Sequence, residues 1–281
     1  MLAFVTSLRH PQNSADYGRV ELLLEQTLAS VAAQHGDDFV VIVVGNRRPA
    51  FELPRRTHFV EVDFPAPAPP TGPRTDRDAF VWDKGTKIGA GLIAAREYSP
   101  DYVMIFDADD YVSNRLAAFV ASAPPSPGWV VSSGWMYSYT REVAKPINGF
   151  NRTCGTSFIM SFDAYQVPNL PEGSTQREIA DGFGERLYSV LGAHRHAREW
   201  FAEHSFAPVD LPFRGAVYNV DTGENHSGKA LSGIAFNAGR ALVTEYGLPV
   251  RLSAMRRLWN AIGARAIAET LASRLRRLAS R

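Results

Sequence analysis

The chain has 281 residues, 45% of them hydrophobic and 21% charged, which suits a globular protein with one large domain and an appendage. Its formal net charge of +1 excludes an overall field that would attract nucleic acid, so we expect no nucleic-acid partner. The single cysteine, Cys154, excludes an internal disulfide framework. No apolar run reaches the roughly 18 residues of a membrane span, and the run at the start is too short for a secretory signal. We therefore expect a cytoplasmic protein.

The first 110 residues alternate between strand and helix patterns. Residues 38–46 are apolar on both faces, as in a parallel strand that helices cover on either side. In chain order, the predicted elements are a strand at 2–8, a helix at 18–34, strands at 38–46 and 58–64, a proline-rich loop at 65–80, a helix at 83–98 and a strand at 102–110. This order predicts an open, mostly parallel α/β sheet.

The pattern loosens after residue 110. The remaining predicted elements are a short helix at 115–123, strands at 128–139, 156–162 and 215–220, and a helix with a broken start at 176–192. Residues 251–281 differ in kind, because they hold eight arginines and a single acidic residue, Glu269. Their apolar residues fall near one helical face, so we expect a basic amphipathic stretch of two helices broken at Gly263.

Three carboxylates, those of Asp107, Asp109 and Asp110, close the fourth predicted strand within four positions. Ligands of parallel α/β sheets bind beyond the carboxyl ends of the strands, which is where these side chains fall. Like charges so close together repel unless a cation lies among them, and Mg²⁺ and Mn²⁺ prefer oxygen ligands shared with phosphate groups. The cluster therefore favours a divalent-metal site for a phosphorylated ligand. A solvated turn is the alternative, since Asp is common in turns.

The stretch IFDADD, residues 105–110, resembles the DxD motif of GT-A glycosyltransferases, especially those of family 2. The stretch DKGTKIGAGLIAARE, residues 83–97, is similar to the segment in which these enzymes place a basic residue and a small-residue helix. The resemblance covers roughly the first 230 residues. It implies the GT-A fold, a Rossmann-like, mixed, mostly parallel sheet flanked by helices, here followed by a helical basic tail. It divides the chain into a nucleotide-sugar-binding half at 1–112, an acceptor-binding half at 113–250 and the tail at 251–281.

The activity implied by this resemblance is transfer of a sugar from a nucleotide-sugar to a glycan, lipid-linked or other hydroxyl acceptor. We expect a UDP-sugar donor, inversion, and Mn²⁺ or Mg²⁺ that carries the diphosphate and stabilises the leaving nucleotide. The sequence departs from the family pattern at two points. Residues 45–49, GNRRP, replace a segment that often carries an acidic residue, and the ED pair that supplies an inverting base is absent.

The resemblance also assigns roles to individual residues. Asp107 would face the ribose or a metal-bound water, and Asp109 would ligate the metal. A histidine from a late loop completes the metal shell in many such enzymes, which here points to His226. Either Lys84 or Lys87 would lie near the base or the diphosphate. The implied nucleotide-sugar contacts are Thr6, Ser7, Arg9, Asn46, Lys84, Asp107 and Lys229, and the implied metal ligands are Asp107, Asp109 and His226.

An inverting transferase needs a general base for the acceptor hydroxyl, whereas a retaining enzyme does not. In the family this base lies near the start of a helix that follows the acceptor-side strands. The stretch REIADGFGERL, residues 177–187, occupies that place, so Asp181 is the first candidate, with Glu178 and Glu185 as alternatives. The nearby pair His194 and His196 has spacing that could serve zinc on a strand, but no second ligand cluster supports it.

Two further questions stay open from the sequence. The basic tail fits a peripheral contact with the cytoplasmic membrane leaflet, a homodimer contact, or a helix packed back on the domain. The chain as a whole fits a nucleotidyltransferase of related architecture, or a non-catalytic carbohydrate-binding or scaffold protein with a degenerate GT-A fold. The glycine-poor segment after the first strand counts against the former, and the intact DADD counts against the latter.

Overall fold

The structure, a computed structural model, describes residues 1–68, 78–224 and 228–279. Within these ranges the strands are β1 (Leu2–Ser7), β2 (Phe39–Gly45), β3 (Thr57–Glu61), β4 (Tyr102–Ile105), β5 (Tyr111–Val112), β6 (Gly128–Val130), β7 (Ser133–Ser138), β8 (Val143–Asn148), β9 (Phe158–Ser161), β10 (Val209–Asp210), β11 (Ala216–Val220) and β12 (Phe236–Asn237). The α-helices are α1 (Tyr17–Ala32), α2 (Asp78–Ala95), α3 (Leu116–Ser122), α4 (Gln176–Phe183), α5 (Ala197–Glu203), α6 (Arg240–Tyr246), α7 (Ala254–Ile262) and α8 (Ala264–Ala279). Short 3-10 turns lie at Pro11–Asn13, Arg96–Tyr98, Phe150–Arg152 and Phe162–Tyr165, and a π-helical turn lies at Leu187–Leu191.

The central sheet has the strand order β10-β6-β9-β4-β1-β2-β3. Strands β3, β2, β1 and β4 are mutually parallel, and β9 runs antiparallel to both β4 and β6. The prediction of a mixed, mostly parallel sheet flanked by helices is therefore confirmed. Because β1 and β4 are parallel neighbours, their carboxyl ends meet at one edge of the sheet.

Helices cover both faces of this sheet, which explains why β2 is apolar throughout. Phe4 lies in one core cluster with Leu24 of α1 and Leu116 of α3, whereas Val5 lies in a second core cluster with Leu92 of α2. Helix α2 lies very close to the sheet, since a Cβ atom at Gly91 would fall 2.6 Å from Val5. The small residues predicted for this helix therefore serve close packing.

A second sheet, ordered β12-β8-β7-β11-β5, starts directly after the aspartate cluster. Its presence corrects one prediction, because residues 128–139 form two strands, β6 and β7, in different sheets. The break falls at Ser132, whose amide donates to the Val130 carbonyl at 2.9 Å. Both halves are largely buried, so the apolar pattern continues across the break and conceals it.

The basic tail forms α7 and α8, and the predicted break at Gly263 is confirmed. Its start is fixed to the body by Glu142, which is 1% exposed. The Glu142 carboxylate accepts hydrogen bonds from the backbone amides of Arg251 and Leu252, each at 2.9 Å, and pairs with the Arg251 guanidinium at 3.2 Å. No helix in the described ranges is long and apolar enough to cross a bilayer.

Replacing Glu142 with Ala should loosen the tail, because it leaves two part-buried backbone amides and the Arg251 guanidinium without their acceptor, at a cost of about 1–3 kcal/mol. Limited proteolysis should then cleave near residue 251 faster than in the unmodified protein. The exposed Glu203→Ala serves as a matched control and should leave the digestion rate unchanged. Equal cleavage of the Glu142→Ala and unmodified proteins would show that Glu142 does not hold the tail.

Candidate active site

The end of β4 delivers the three aspartates to the carboxyl edge of the central sheet. The Phe106 amide still donates to the Val5 carbonyl of β1 at 3.0 Å, so the sheet pairing continues up to Asp107. The chain then turns, and the Asp110 amide donates to the Asp107 carbonyl at 3.1 Å. This turn gathers all three carboxylates at the edge where β1 also ends.

Asp110 is fully buried and its carboxylate is occupied by protein donors. One oxygen accepts from the Thr156 hydroxyl at 2.5 Å and from the Cys154 thiol at 2.8 Å, and the other accepts from the Asn219 amide at 3.0 Å. Burial, followed by repulsion from Asp109 and Asp107, raises the pKa of Asp110 well above its usual range. Asp110 thus ties the cluster to residues 154–156 and to β11, with few lone pairs left for a ligand.

Asp107 is partly exposed and forms an ion pair with Lys84 of α2. Burial alone would raise the pKa of Asp107, but the Lys84 ammonium outweighs it and the net shift is downward. Gly155 approaches so closely that a Cβ atom there would lie 2.7 Å from the Asp107 carboxylate. The segment around Gly155 therefore shapes the site, which the sequence analysis missed.

Asp109 differs from its two neighbours, because its carboxylate makes no hydrogen bond or ion pair with another described side chain. Burial, followed by repulsion from Asp107, raises the pKa of Asp109 to about 7, although Arg9 partly opposes the shift. A carboxylate in this position retains its lone pairs and would be stabilised by a cation. Among the three aspartates, Asp109 is the one with most capacity to bind a ligand.

The donor set of this cluster fits a divalent cation. Ligand atoms of Asp107, Asp110 and Cys154 lie within 4.8 Å of one another. Burial raises the pKa of the Cys154 thiol well above its usual range, and a protonated thiol is a poor ligand for a hard ion. Carboxylate oxygens are the donors that Mn²⁺ or Mg²⁺ prefers, so Asp107 and Asp110 are the suitable members of this group. Asp109 is not part of the group, and the assignment of Asp107 and Asp109 as metal ligands stays a prediction.

If a cation binds at Asp109, the effect of Mn²⁺ on the melting temperature should depend on pH. The native state binds a proton at Asp109 up to about pH 7, whereas the unfolded chain releases it near pH 4, so this group lowers stability as pH rises between those values. Mn²⁺ should therefore raise the melting temperature more at about pH 8 than at about pH 5, where protons compete for the carboxylate. Asp109→Asn is the control and should lose this difference. An equal Mn²⁺ effect at both pH values, or in the variant, would contradict a cation at Asp109.

Arg9 lies at the same edge and connects it to the loop after β11. Its guanidinium pairs with Glu224 at 2.5 Å, and the Glu224 carboxylate also accepts from the Asp16 amide at 3.1 Å. Burial lowers the pKa of Arg9, whereas Glu224 and Asp109 oppose the shift.

The loop after β11 continues into residues 225–227, and the predicted ligand His226 lies outside the described residues. Just beyond, the Lys229 ammonium lies 3.4 Å from the Thr153 carbonyl.

The two candidate lysines of α2 have different environments. Lys84 reaches the aspartate cluster, whereas Lys87 is fully buried, paired with Asp83 at 2.9 Å and bonded to the Leu8 carbonyl at 3.1 Å. Burial lowers the pKa of Lys87 and raises that of Asp83. The structure therefore favours Lys84 over Lys87 as the lysine at the site.

The other predicted nucleobase contacts lie at or near strand ends. Thr6 is fully buried and its hydroxyl has no hydrogen-bond partner among the described residues, while Ser7 is half-buried at the end of β1. The Asn46 amide group donates to the carbonyls of Val62 at 3.1 Å and Phe64 at 2.8 Å. Asn46 thus holds the segment after β3, and a role with a nucleobase stays a prediction for all three residues.

The predicted base, Asp181, lies on the solvent-exposed side of α4, paired with Arg177 at 2.9 Å. The contacts described for it do not include the aspartate cluster, so its catalytic role stays a prediction. Glu178 is occupied elsewhere, because its carboxylate accepts from the Thr175 amide at 2.8 Å in a capping box at the start of α4. Asp181 is therefore the better candidate of these two.

His194 is a site residue whose position the sequence analysis did not predict. It lines a small cavity with Lys84, Gly155 and the apolar residues around Phe158. Burial lowers the pKa of His194 to about 4, although Asp107 opposes the shift, so a neutral imidazole faces the cluster. His196, by contrast, is exposed just before α5, so the two histidines point to different surroundings.

Comparisons with known proteins give only distant matches. No protein-family model matches the chain, and a search of curated proteins found no match. The crystal structure of S. aureus TarS 1-349 is 12% identical with a TM-score of 0.38, covering 78% of this chain and 60% of that one. The glycosyltransferase GlyE of Streptococcus pneumoniae TIGR4 is 8% identical with a TM-score of 0.33, covering 75% of this chain and 44% of that one. The chain thus spans less than two thirds of either protein, and a likeness of this size carries no information on donor, acceptor or metal.

Proposed function

We propose that the chain is a metal-dependent GT-A glycosyltransferase that transfers a sugar from a nucleotide-sugar, foremost a UDP-sugar, to a hydroxyl of a glycan or lipid-linked acceptor. The observation that carries the proposal is the pair Asp107 and Asp109 at the carboxyl edge of the central sheet. Asp109 has no partner among the described side chains, and the strand position matches the DxD motif that residues 105–110 resemble. A site of this kind suits a diphosphate held through a shared cation.

The residues at the carboxyl edge of the central sheet have different proposed roles in binding the donor. Asp107 and Asp109 would hold Mn²⁺ or Mg²⁺, which supplies Lewis-acid stabilisation of the leaving nucleoside diphosphate when bound. Lys84 fixes the Asp107 carboxylate and would add positive charge beside a bound diphosphate. The Arg9 guanidinium, which is paired with Glu224, interacts electrostatically with the Asp109 carboxylate. Asp110 holds the turn in place. Electrostatic stabilisation by groups that are already in position is the main catalytic device of this arrangement.

The chain changes from the central sheet to the second sheet between Asp110 and Tyr111, which supports a division into a donor-binding half and an acceptor-binding half. At this point the chain leaves the central sheet for the second sheet through β5. We assign nucleotide-sugar binding to residues 1–112 and acceptor binding to residues 113–250, which include α4, the other four strands of the second sheet and the strands β6, β9 and β10 of the central sheet.

Asp181 is the proposed base of an inverting reaction. Asp181→Asn should slow sugar transfer to a hydroxyl acceptor by about 10²-fold or more and leave slow donor hydrolysis by water nearly unchanged. Parallel assays of transfer and hydrolysis on one donor measure the two rates. Asp163→Asn, which changes an exposed aspartate outside α4, is the control. An equal loss in both assays would place Asp181 in donor binding rather than in deprotonation.

A binding and turnover experiment tests the proposed function directly. Isothermal titration of UDP with and without Mn²⁺ should show binding that depends on the metal, and a panel of nucleotide-sugars should reveal slow release of free nucleotide. A nucleotidyltransferase would instead form pyrophosphate from a nucleoside triphosphate and a sugar phosphate. Absence of metal-dependent nucleotide binding would favour a non-catalytic scaffold and reject the proposal.

A further inference from the structure

Helix α7 is amphipathic, but its apolar side faces solvent. On its inner side, the Asn260 amide group donates to the Arg141 carbonyl at 3.0 Å, and Ala261 is buried. On its outer side lie Met255, which is 82% exposed, and Trp259, which is 63% exposed. Amphipathic helices of globular proteins normally bury the apolar side, so the orientation of α7 is reversed.

Helix α8 repeats the reversed arrangement. Glu269 accepts a hydrogen bond from the Gly233 amide at 2.7 Å, and the Thr270 hydroxyl accepts from the Ile234 amide at 2.8 Å. These polar contacts hold α8 to the body through its hydrophilic side. We use the name apolar ridge for the large apolar residues that both helices leave exposed, which are Met255, Leu258, Trp259, Ile262, Ile267, Leu271 and Leu275.

The apolar ridge lies within the most basic part of the chain. Residues 251–281 contain eight arginines and one carboxylate, while the whole chain has a net charge of +1, so the preceding residues are net negative. Arg256, Arg274 and Arg276 are exposed and form no ion pair with a carboxylate in the described ranges. The surface therefore combines unneutralised cations with exposed apolar side chains, including a tryptophan.

We propose that the apolar ridge and its arginines dock on a membrane leaflet that contains anionic phospholipid. The ridge would enter the boundary between headgroups and acyl chains, and the arginines would pair with lipid phosphates. Trp259 suits that boundary, because an amphipathic ring is most stable at headgroup level. A second copy of the chain is a poorer occupant, since two such tails would bring like charges together. The polar contacts of Glu142, Asn260 and Glu269 hold the tail rigidly in the orientation that docking needs.

Vesicle flotation tests this proposal with the full chain. The protein should float with vesicles of phosphatidylcholine containing about 30 mol% phosphatidylglycerol and remain unbound with phosphatidylcholine alone. Leu258→Gln with Trp259→Gln, and separately Arg274→Glu with Arg276→Glu, should each lower the partition coefficient by about tenfold or more. The matched controls, Leu22→Gln and Arg55→Glu with Arg240→Glu, change exposed residues outside the tail and should bind like the unmodified protein.

Several outcomes would overturn the proposal. These are failure of the unmodified protein to float with anionic vesicles, equal flotation with neutral vesicles, and equal flotation of the ridge variants and the unmodified protein. Sedimentation velocity tests whether a second copy of the chain binds the apolar ridge instead. A concentration-dependent dimer that Trp259→Gln abolishes would assign the ridge to that second copy. The proposal is independent of the proposed transferase activity, since donor hydrolysis should be the same in the ridge variants and in the unmodified protein.

Discussion

Asp109→Asn is expected to reduce Mn²⁺-dependent release of nucleotide from a nucleotide-sugar by about 10³-fold or more. The substitution keeps the size of the side chain but removes one of the two carboxylates that would hold the cation. Metal stabilisation of a leaving group contributes several kcal/mol to a transition state, and each 1.36 kcal/mol corresponds to about tenfold in rate. The measurement is donor turnover at saturating Mn²⁺, together with titration of Mn²⁺ into both proteins.

The same variant should fold normally, which separates a lost site from a lost structure. Asp109 has no hydrogen-bond partner among the described side chains, and Asn removes its repulsion with Asp107. The melting temperature without metal at about pH 8 should therefore be equal to or higher than that of the unmodified protein. Asp63→Asn, an exposed aspartate after β3, is the matched control and should retain both turnover and Mn²⁺ binding. Full turnover by Asp109→Asn would remove the basis of the proposed function.

The central sheet was predictable because its signals are local. A short apolar run rich in β-branched residues, such as residues 39–45, is typical of a strand covered on both faces, and the small residues of α2 indicate close packing on it. The aspartate cluster was predictable for the same reason, since its three members are adjacent in the sequence. The division of roles among them was not, because Thr156 and Asn219 reach Asp110 from strands and loops 46 and 109 residues away.

The basic tail shows a second limit of sequence reasoning. Periodicity predicted its two helices and the break at Gly263, yet it could not show which side of each helix faces the body. The orientation follows from backbone amides at residues 233–234 that Glu269 and Thr270 satisfy, and from Arg141, which meets Asn260. These partners lie on distant elements, and no local pattern marks them. A hydrophobic stripe therefore indicates a helix without specifying what covers the stripe.

Asp110→Ala is expected to destabilise the protein by about 2–4 kcal/mol, a larger effect on folding than that of Asp109→Asn. The change leaves the Thr156 hydroxyl, the Cys154 thiol and the Asn219 amide buried without their acceptor, beside a small cavity. Asp110→Asn should cost less, because its remaining carbonyl oxygen can still accept from Asn219. Urea unfolding of the three proteins measures the difference in the free energy of unfolding.

The exposed Asp63→Ala provides the matched control and should unfold at nearly the same urea concentration as the unmodified protein. A stable Asp110→Ala protein would mean that the hydrogen bonds to Asp110 do not hold the turn. If that variant also lost Mn²⁺ binding while remaining folded, Asp110 would be a metal ligand in its own right. We therefore expect Asp110→Ala to lose stability and Asp109→Asn to lose turnover, because the two carboxylates differ in their partners. Protein donors fill the Asp110 carboxylate, and the Asp109 carboxylate is left for a ligand.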